Sequence, residues 1–98
     1  MMDRIYREHA RLIILRVLAR ETNMSLNSAV LQDHLQTFGI TRPREWLHDE
    51  LGWLASMGAI TVTEMATVRI ASITAKGHDH VERRIAIEGV KRPSPAES

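Results

Sequence analysis

The chain has 98 residues and a formal net charge of +1, with 44% hydrophobic residues, 26% charged residues and no cysteine. This is the composition of one globular domain with a modest core, and the lack of cysteine excludes disulfides and thiolate nucleophiles. No apolar run is long enough to span a membrane, and the charged N-terminus differs from a secretory signal, so we expect a cytoplasmic protein that does not enter a membrane.

The first predicted element is a long helix over residues 3–20. Its apolar residues recur at spacings of three and four, and the segment contains no glycine or proline. The apolar stripe is wide, so we expect more than half of this helix to be buried. A second helix is predicted over residues 27–38, with Ser25 or Asn27 as its cap and Gly39 after its end.

The third predicted helix begins near Thr41, a candidate cap, has Pro43 in its first turn and closes at Gly58. Three leucines share its inner face: Leu47, Leu51 and Leu54. Three large side chains flank that stripe, and we expect them to pack on the first or the last helix: Trp46, Trp53 and Met57. The opposite face is polar and contains Glu45, His48, Asp49, Gly52 and Ser56.

The apolar period changes from that of a helix to that of a strand after Ala59. Two runs rich in β-branched residues, 60–64 and 68–73, flank a short connection and predict a β-hairpin. The inner face of the second strand stays open, because apolar residues fall on both of its sides. A β-bulge would reconcile the two sides.

A fourth helix is predicted from Thr74 through Ile87, with Val81 and Ile85 on its inner side and Gly89 after its end. The chain then divides into a domain of residues 1–89 and a flexible tail of residues 90–98. Three helices, a two-stranded hairpin and a closing helix make a mainly α fold in the order of a winged helix-turn-helix. A hairpin of this size is unstable alone, so it must pack on the helices as a wing.

Several motifs resemble those of winged-helix families. Residues 47–60, in which spaced leucines precede Gly58 and an apolar strand, resemble regulators of the MarR, PadR and ArsR type, and residues 73–77 (ITAKG) are similar to the segment that ends their wing. The whole chain resembles more closely a family of small proteins of Mu-like transposable phages and prophages, through residues 4–12 (RIYREHARL), 44–46 (REW) and 88–93 (EGVKRP). This resemblance implies a winged-helix fold, a phage or prophage origin and a location in the bacterial host.

The winged-helix assignment favours double-stranded DNA as the partner, because the third helix of such folds commonly enters the major groove. We expect Arg42, Arg44 and His48 to contact bases or adjacent phosphates, and Arg69 of the wing to contact a phosphate. The protein would then be a phage or prophage transcriptional regulator. The charge of residues 41–58 opposes this interpretation, since two arginines face three carboxylates, a net charge of −1.

The alternative hypothesis is a winged-helix module that binds another protein through its acidic third helix and does not bind DNA. A homodimer is also consistent with the sequence, because the first helix is so widely apolar. The histidines lack the spacing of a metal site, and the chain has no phosphate loop or nucleophile elbow. We therefore expect no catalytic or metal-binding residues, no enzymatic activity, no cofactor and no small-molecule ligand.

Positive charge concentrates at the two ends of the chain. Residues 1–20 hold five arginines against two carboxylates, and residues 74–92 hold five basic residues against three carboxylates. A solubilising surface, flanking phosphate contacts and a partner surface are all compatible with this distribution.

Overall fold

The structure, a computed structural model, describes residues 2–95, apart from the side chain of Met2. Met1 and the last three residues of the predicted tail lie outside the described residues. Four helices and three strands follow in the order α1 (Met2–Arg20), β1 (Ser25–Asn27), α2 (Ser28–Thr37), α3 (Arg44–Ser56), β2 (Ile60–Met65), β3 (Val68–Ile73) and α4 (Ala75–Val81). This is a mainly helical winged helix-turn-helix, which confirms the predicted fold class.

The sheet has three antiparallel strands in the order β1-β3-β2. The hairpin of β2 and β3 keeps a continuous register from Ile60 opposite Ile73 to Met65 opposite Val68. No bulge is therefore needed, and the inner face of β3 is the one that carries the buried Ala71 and Ile73.

The third strand of the sheet, β1, was not expected from the sequence. Ser25 pairs with Ser72, and Asn27 pairs with Ile70. A three-residue strand is too short to show an alternating pattern, so only its distant partner reveals it.

The hydrophobic core lies between the inner side of α1, the two following helices and the sheet. Leu47, Leu51 and Leu54 are each at most 1% exposed, as the α3 pattern predicts. Trp46 packs edge-on against Tyr6 of α1, with the ring centroids 5.8 Å apart. The third helix is thus held against the first along its flank as well as along its leucine stripe.

The helix ends follow the predicted signals in part. The side chain of Asn27 caps α2 by accepting the Val30 N–H at 2.9 Å. Helix α3 begins at Arg44 with Pro43 at its cap position, where no side chain caps it, so the expectation that Thr41 is the cap is wrong. Proline fits there because the first turn of a helix leaves its N–H groups unpaired.

The fourth helix is shorter than predicted, since α4 ends at Val81 and not at Ile87. Ile85 is 42% exposed and does not face inward. The chain instead loops back over His80, a fully buried side chain whose Nδ1 accepts the Ile87 N–H at 3.0 Å. Its Nε2 donates to the Lys91 carbonyl at 2.9 Å. The N–H groups of Arg84 and Ile85 both donate to the Asp79 carbonyl, at 2.8 and 3.3 Å, so the regular helical pattern does not continue.

The segment after Gly89 stays against the body of the protein for several residues. Val90 is 5% exposed, and the Lys91 N–H donates to the Glu8 carbonyl of α1 at 3.2 Å. The division into a domain of residues 1–89 and a tail of residues 90–98 stays a prediction. In residues 2–95 no helix is both long and apolar enough to span a membrane.

Candidate nucleic-acid interface

The exposed face of α3 carries a different charge from the one counted along the sequence. Glu50 does not lie on that face: it is 2% exposed, and one carboxylate oxygen accepts a hydrogen bond from Arg11 Nε at 2.5 Å. The exposed side of the helix and the residues before it therefore hold Arg42 and Arg44 against Glu45 and Asp49. The net charge of −1 counted over residues 41–58 therefore does not describe the exposed face of α3, because the third carboxylate, that of Glu50, is buried in an ion pair.

The buried pair of Arg11 and Glu50 joins three parts of the fold. The Arg11 guanidinium lies over the ring of Trp53, 3.8 Å from its centroid, and its Nη1 donates to the Gly89 carbonyl at 2.9 Å. Arg7 adds a second cation, with its Nε 3.7 Å from the other Glu50 oxygen. Helices α1 and α3 and the C-terminal segment are thus held in one arrangement, which fixes the rotation of α3.

A hydrogen-bonded chain links α3 to the wing through Ser28, the first residue of α2. Its buried hydroxyl oxygen accepts the backbone N–H of Arg69 at 3.0 Å and lies 3.1 Å from His48 Nε2. A buried hydroxyl needs an acceptor for its own proton, and His48 Nε2 is in position to accept it. This arrangement leaves the Nδ1 of a neutral His48 as an N–H donor.

The charge state of His48 depends on both elements that surround it. Partial burial lowers the pKa of His48, and the positive charges of Arg69 and Arg44 lower the pKa further. Glu45 and Glu64 act in the opposite direction with smaller effects. His48 is therefore neutral at pH 7, and it gains a proton more readily when anions neutralise the neighbouring arginines.

The four predicted contact residues do not all lie together. His48 and Arg69 line the same cavity of about 140 Å³ between α3 and the wing, together with Glu64 and the wing turn. Arg44 is exposed at the first position of α3, one turn before His48. Arg42 lies apart, with its guanidinium 4.5 Å from the centroid of the Tyr6 ring.

Glu64 and Arg69 form an ion pair across the wing, with an Nη2–O distance of 3.7 Å. The Glu64 side chain is 76% exposed, so the pair is weak and separates at little cost. Arg69 can therefore turn toward a phosphate without a large loss of free energy.

No protein-family model matches the chain. The uncharacterized protein gp26 of Escherichia phage Mu is 35% identical over 95 residues, which cover 97% of this chain and 98% of that protein. The chain belongs to the gp26 family of phage Mu. This confirms the resemblance to Mu-like phage proteins, whereas the likeness to MarR, PadR and ArsR regulators rests on the motifs alone.

The gp26-family fold is also found in solved structures. Two complex structures, those of hsRosR-S4 and hsRosR-S1, each superpose on 76% of this chain with a TM-score of 0.64 and 21% sequence identity. The chain spans 64% and 65% of those two chains. At this level of identity the likeness shows the winged-helix fold.

The sequence gives no signal for two residues that shape the interface from beneath it. Ser28 reads as an ordinary residue of a helix start, and its contacts with His48 and Arg69 arise only when β3 packs beside α2. Glu50 reads as a surface charge because its partner Arg11 lies 39 residues away. Within residues 2–95 no group of three or more His, Asp or Glu side chains could hold a metal ion.

Proposed function

We propose that this gp26-family protein is a DNA-binding transcriptional regulator of a phage or prophage, acting in the cytoplasm of the bacterial host. Helix α3 enters the major groove, and the wing contacts the flanking backbone. One observation carries the proposal: His48 and Arg69 line one cleft between α3 and the wing, Arg44 lies one turn before His48 and acts on its charge, and the carboxylate of Glu50 is turned into the core.

The spacing of these groups suits a base-reading role. Arg44 and His48 are four residues apart, so they lie on the same face of α3, about 6 Å apart along its axis. This separation corresponds to roughly two base-pair steps of about 3.4 Å each. Arg44 can bind guanine with two hydrogen bonds, and the His48 Nδ1–H can donate to a base acceptor.

The balance of charge supports modest affinity. Glu45, Asp49 and Glu64 lie beside the two cations of this face, Arg44 and Arg69, so few phosphates are neutralised there, and phosphate contacts supply much of the binding free energy. A protein of this kind needs either a well-matched sequence or two copies. A homodimer would occupy two half-sites about 34 Å apart, which a footprint distinguishes from a single site.

The alternative, a protein-interaction module, drew its support from an acidic third helix. With Glu50 buried, the exposed face of α3 has no excess of acidic residues, so that support is lost. A partner captured by the wild type, lost on Glu45→Lys with Asp49→Lys and kept on Arg42→Ala with Arg44→Ala, would favour the module.

A gel-shift titration with duplexes from the neighbouring genomic region tests the proposal. We expect salt-sensitive binding by the wild type and a loss of about 5- to 150-fold with Arg44→Ala, the range of a good bidentate base contact. Arg4→Ala is the matched control, because Arg4 is an exposed arginine on the first turns of α1. Binding absent at low ionic strength, or equal for both variants, would refute the proposal.

A further inference from the structure

Several arginines lie around two neighbouring cavities that the proposed function does not use. Arg20 lines a cavity of about 240 Å³ with His78, Glu82 and Pro93. Pro93 also lines a neighbouring cavity of about 410 Å³ together with Arg83, Arg84 and Arg92. The two cavities therefore form one continuous surface, which we call the distal basic surface and define by Arg20, Arg83, Arg84 and Arg92.

Three of these four guanidinium groups have no partner within the described residues. Arg84 pairs with Asp79 at 2.9 Å, whereas Arg20, Arg83 and Arg92 make no ion pair or side-chain hydrogen bond in residues 2–95. All three residues are exposed. Among the described residues that line the two cavities, Glu82 is the one carboxylate, and a third cavity that shares Arg92 is lined by Glu8 and Glu88.

The strand register places this surface at the opposite end of the sheet from the wing tip. Strand β3 runs from Val68 at the tip to Ile73, about 17 Å at the usual rise per residue, and α4 begins directly afterwards. Arg20 precedes Ser25, which pairs with Ser72 at that same far end. A duplex lying on α3 and the wing tip thus leaves the distal basic surface uncovered.

The composition of the surface favours a phosphate backbone over a protein partner. Stable protein interfaces have an apolar centre with aromatic anchors, whereas Ile85 is the single exposed large apolar side chain among the described residues that line this surface. Guanidinium groups bind phosphate oxygens with paired hydrogen bonds and need no base contact. Arg83 also has a positive φ of 66° at the turn that follows α4.

We infer that the distal basic surface binds the phosphate backbone of a second nucleic-acid duplex without sequence specificity. One protein molecule would then hold two duplexes, one at α3 and the wing and one at the distal basic surface. This inference goes beyond the proposed function, because it assigns contacts to a face that takes no part in base reading.

A bridging assay tests this inference at low salt with two duplexes. The duplex on beads comes from the neighbouring genomic region and is bound by wild-type protein in the gel shift, and the fluorescent duplex is a mixed-sequence 20-base-pair duplex. We expect the full-length wild type to capture the fluorescent duplex. The variant Arg20→Gln, Arg83→Asn and Arg92→Gln should reduce capture by about tenfold or more, since three phosphate contacts are lost. Asparagine is chosen at position 83 because it tolerates a positive φ.

The matched single-charge comparison is Arg92→Gln against Arg4→Gln. Arg4 lies about 24 Å from Arg20 along α1, at the usual helical rise, so Arg4→Gln should leave capture unchanged. Circular dichroism confirms that each variant is folded. No capture by the wild type, or equal capture by the triple variant, overturns the inference.

The outcomes separate this inference from the proposed function. In one outcome, Arg44→Ala loses single-duplex binding and bridging does not depend on the distal arginines. This outcome supports DNA binding by α3 and rejects DNA binding by the distal basic surface. Bridging would then come from dimers that present two copies of α3. Binding that depends on the distal arginines alone supports the distal surface and rejects base reading by α3.

Discussion

The substitution Glu50→Gln tests whether the Glu50 carboxylate is buried in an ion pair, which is the reason that the exposed face of α3 has no excess of acidic residues. The change removes one negative charge and preserves the size and shape of the side chain. Because Glu50 is buried against Arg11, the amide leaves the Arg11 guanidinium without its counter-ion. A surface carboxylate, in contrast, would tolerate the same change.

The expected cost follows from the burial of the pair. The Arg11 and Glu50 side chains are 10% and 3% exposed, and removal of one partner of such a pair costs about 3–5 kcal/mol. The amide oxygen still accepts from Arg11, and the Gly89 carbonyl and the Trp53 ring remain in contact with the guanidinium. We therefore expect the lower end of that range, about 3 kcal/mol, or a fall in Tm of about 12–24 °C for a domain of this size.

Urea unfolding followed by tryptophan fluorescence measures this loss. Glu45→Gln, on the exposed face of the same helix, is the control and should change the free energy of unfolding by less than about 0.5 kcal/mol. The double variant Arg11→Met with Glu50→Leu should recover most of the stability, since an apolar pair avoids the cost of burying charges. A decrease in the free energy of unfolding below about 1 kcal/mol for Glu50→Gln would refute this reasoning, and Glu50 would then count among the exposed carboxylates of α3.

Four further predictions concern packing, capping and the effect of pH on stability and on DNA binding. Gly77→Ala should destabilise the fold by several kcal/mol, because an added Cβ would lie 2.4 Å from the Ala59 carbonyl oxygen. Gly52→Ala should stabilise the fold by about 0.5–1 kcal/mol, because a Cβ there meets nothing within 4 Å and alanine favours a helix. Thermal unfolding compares the two variants. Thr74→Ala should cost about 1 kcal/mol in the same assay, since the hydroxyl accepts the Gly77 N–H and caps α4. Because the pKa of His48 is lowered in the folded protein, the unfolded chain binds a proton at His48 more readily than the folded chain does. The stability that His48 contributes is therefore present above about pH 6.5 and is lost as the pH falls through the folded pKa. His48→Gln should remove that part of the pH dependence of the free energy of unfolding in urea titrations. Because bound phosphates favour the protonated ring, the affinity for DNA should rise as the pH falls from 7 to 5.5 in the wild type and stay flatter in His48→Gln, and the opposite trend would exclude His48 from the interface.

Local patterns predicted the parts of the fold that depend on local physics. The leucine stripe of α3, the cap at Asn27 and the hairpin each have a period or a residue type that acts over a few neighbours, and all three appear in the structure. Strand β1 has no such signal, because three residues cannot display a period and its partner β3 lies about 45 residues away.

The errors in the C-terminal part have a shared cause. Residues 82–87 include helix-favouring side chains, so the pattern extends α4 to Ile87. The structure ends the helix at Val81 because His80 is buried and binds the Ile87 N–H and the Lys91 carbonyl instead. Long-range partners of a buried polar side chain are invisible to a window of neighbouring residues.

For the candidate interface, too, the sequence predicts the arrangement within one helix and not the contacts between distant segments. The position of Arg44 and His48 on one helix face follows from a spacing of four residues, and the structure places them so. The link from His48 through Ser28 to the wing, and the removal of Glu50 from the surface, depend on contacts between segments that are 20 to 41 residues apart.

We propose that α3 and the wing form one DNA-binding face. The most direct test of this claim is the equilibrium binding of a duplex from the neighbouring genomic region by Arg44→Ala with Arg69→Ala, measured at several salt concentrations beside the wild type and Arg4→Ala. We predict that wild-type and Arg4→Ala affinities fall together as salt rises, while the double variant binds at least about tenfold more weakly at low salt and with a shallower slope. Equal affinity and equal slope for the double variant and the wild type would contradict the claim.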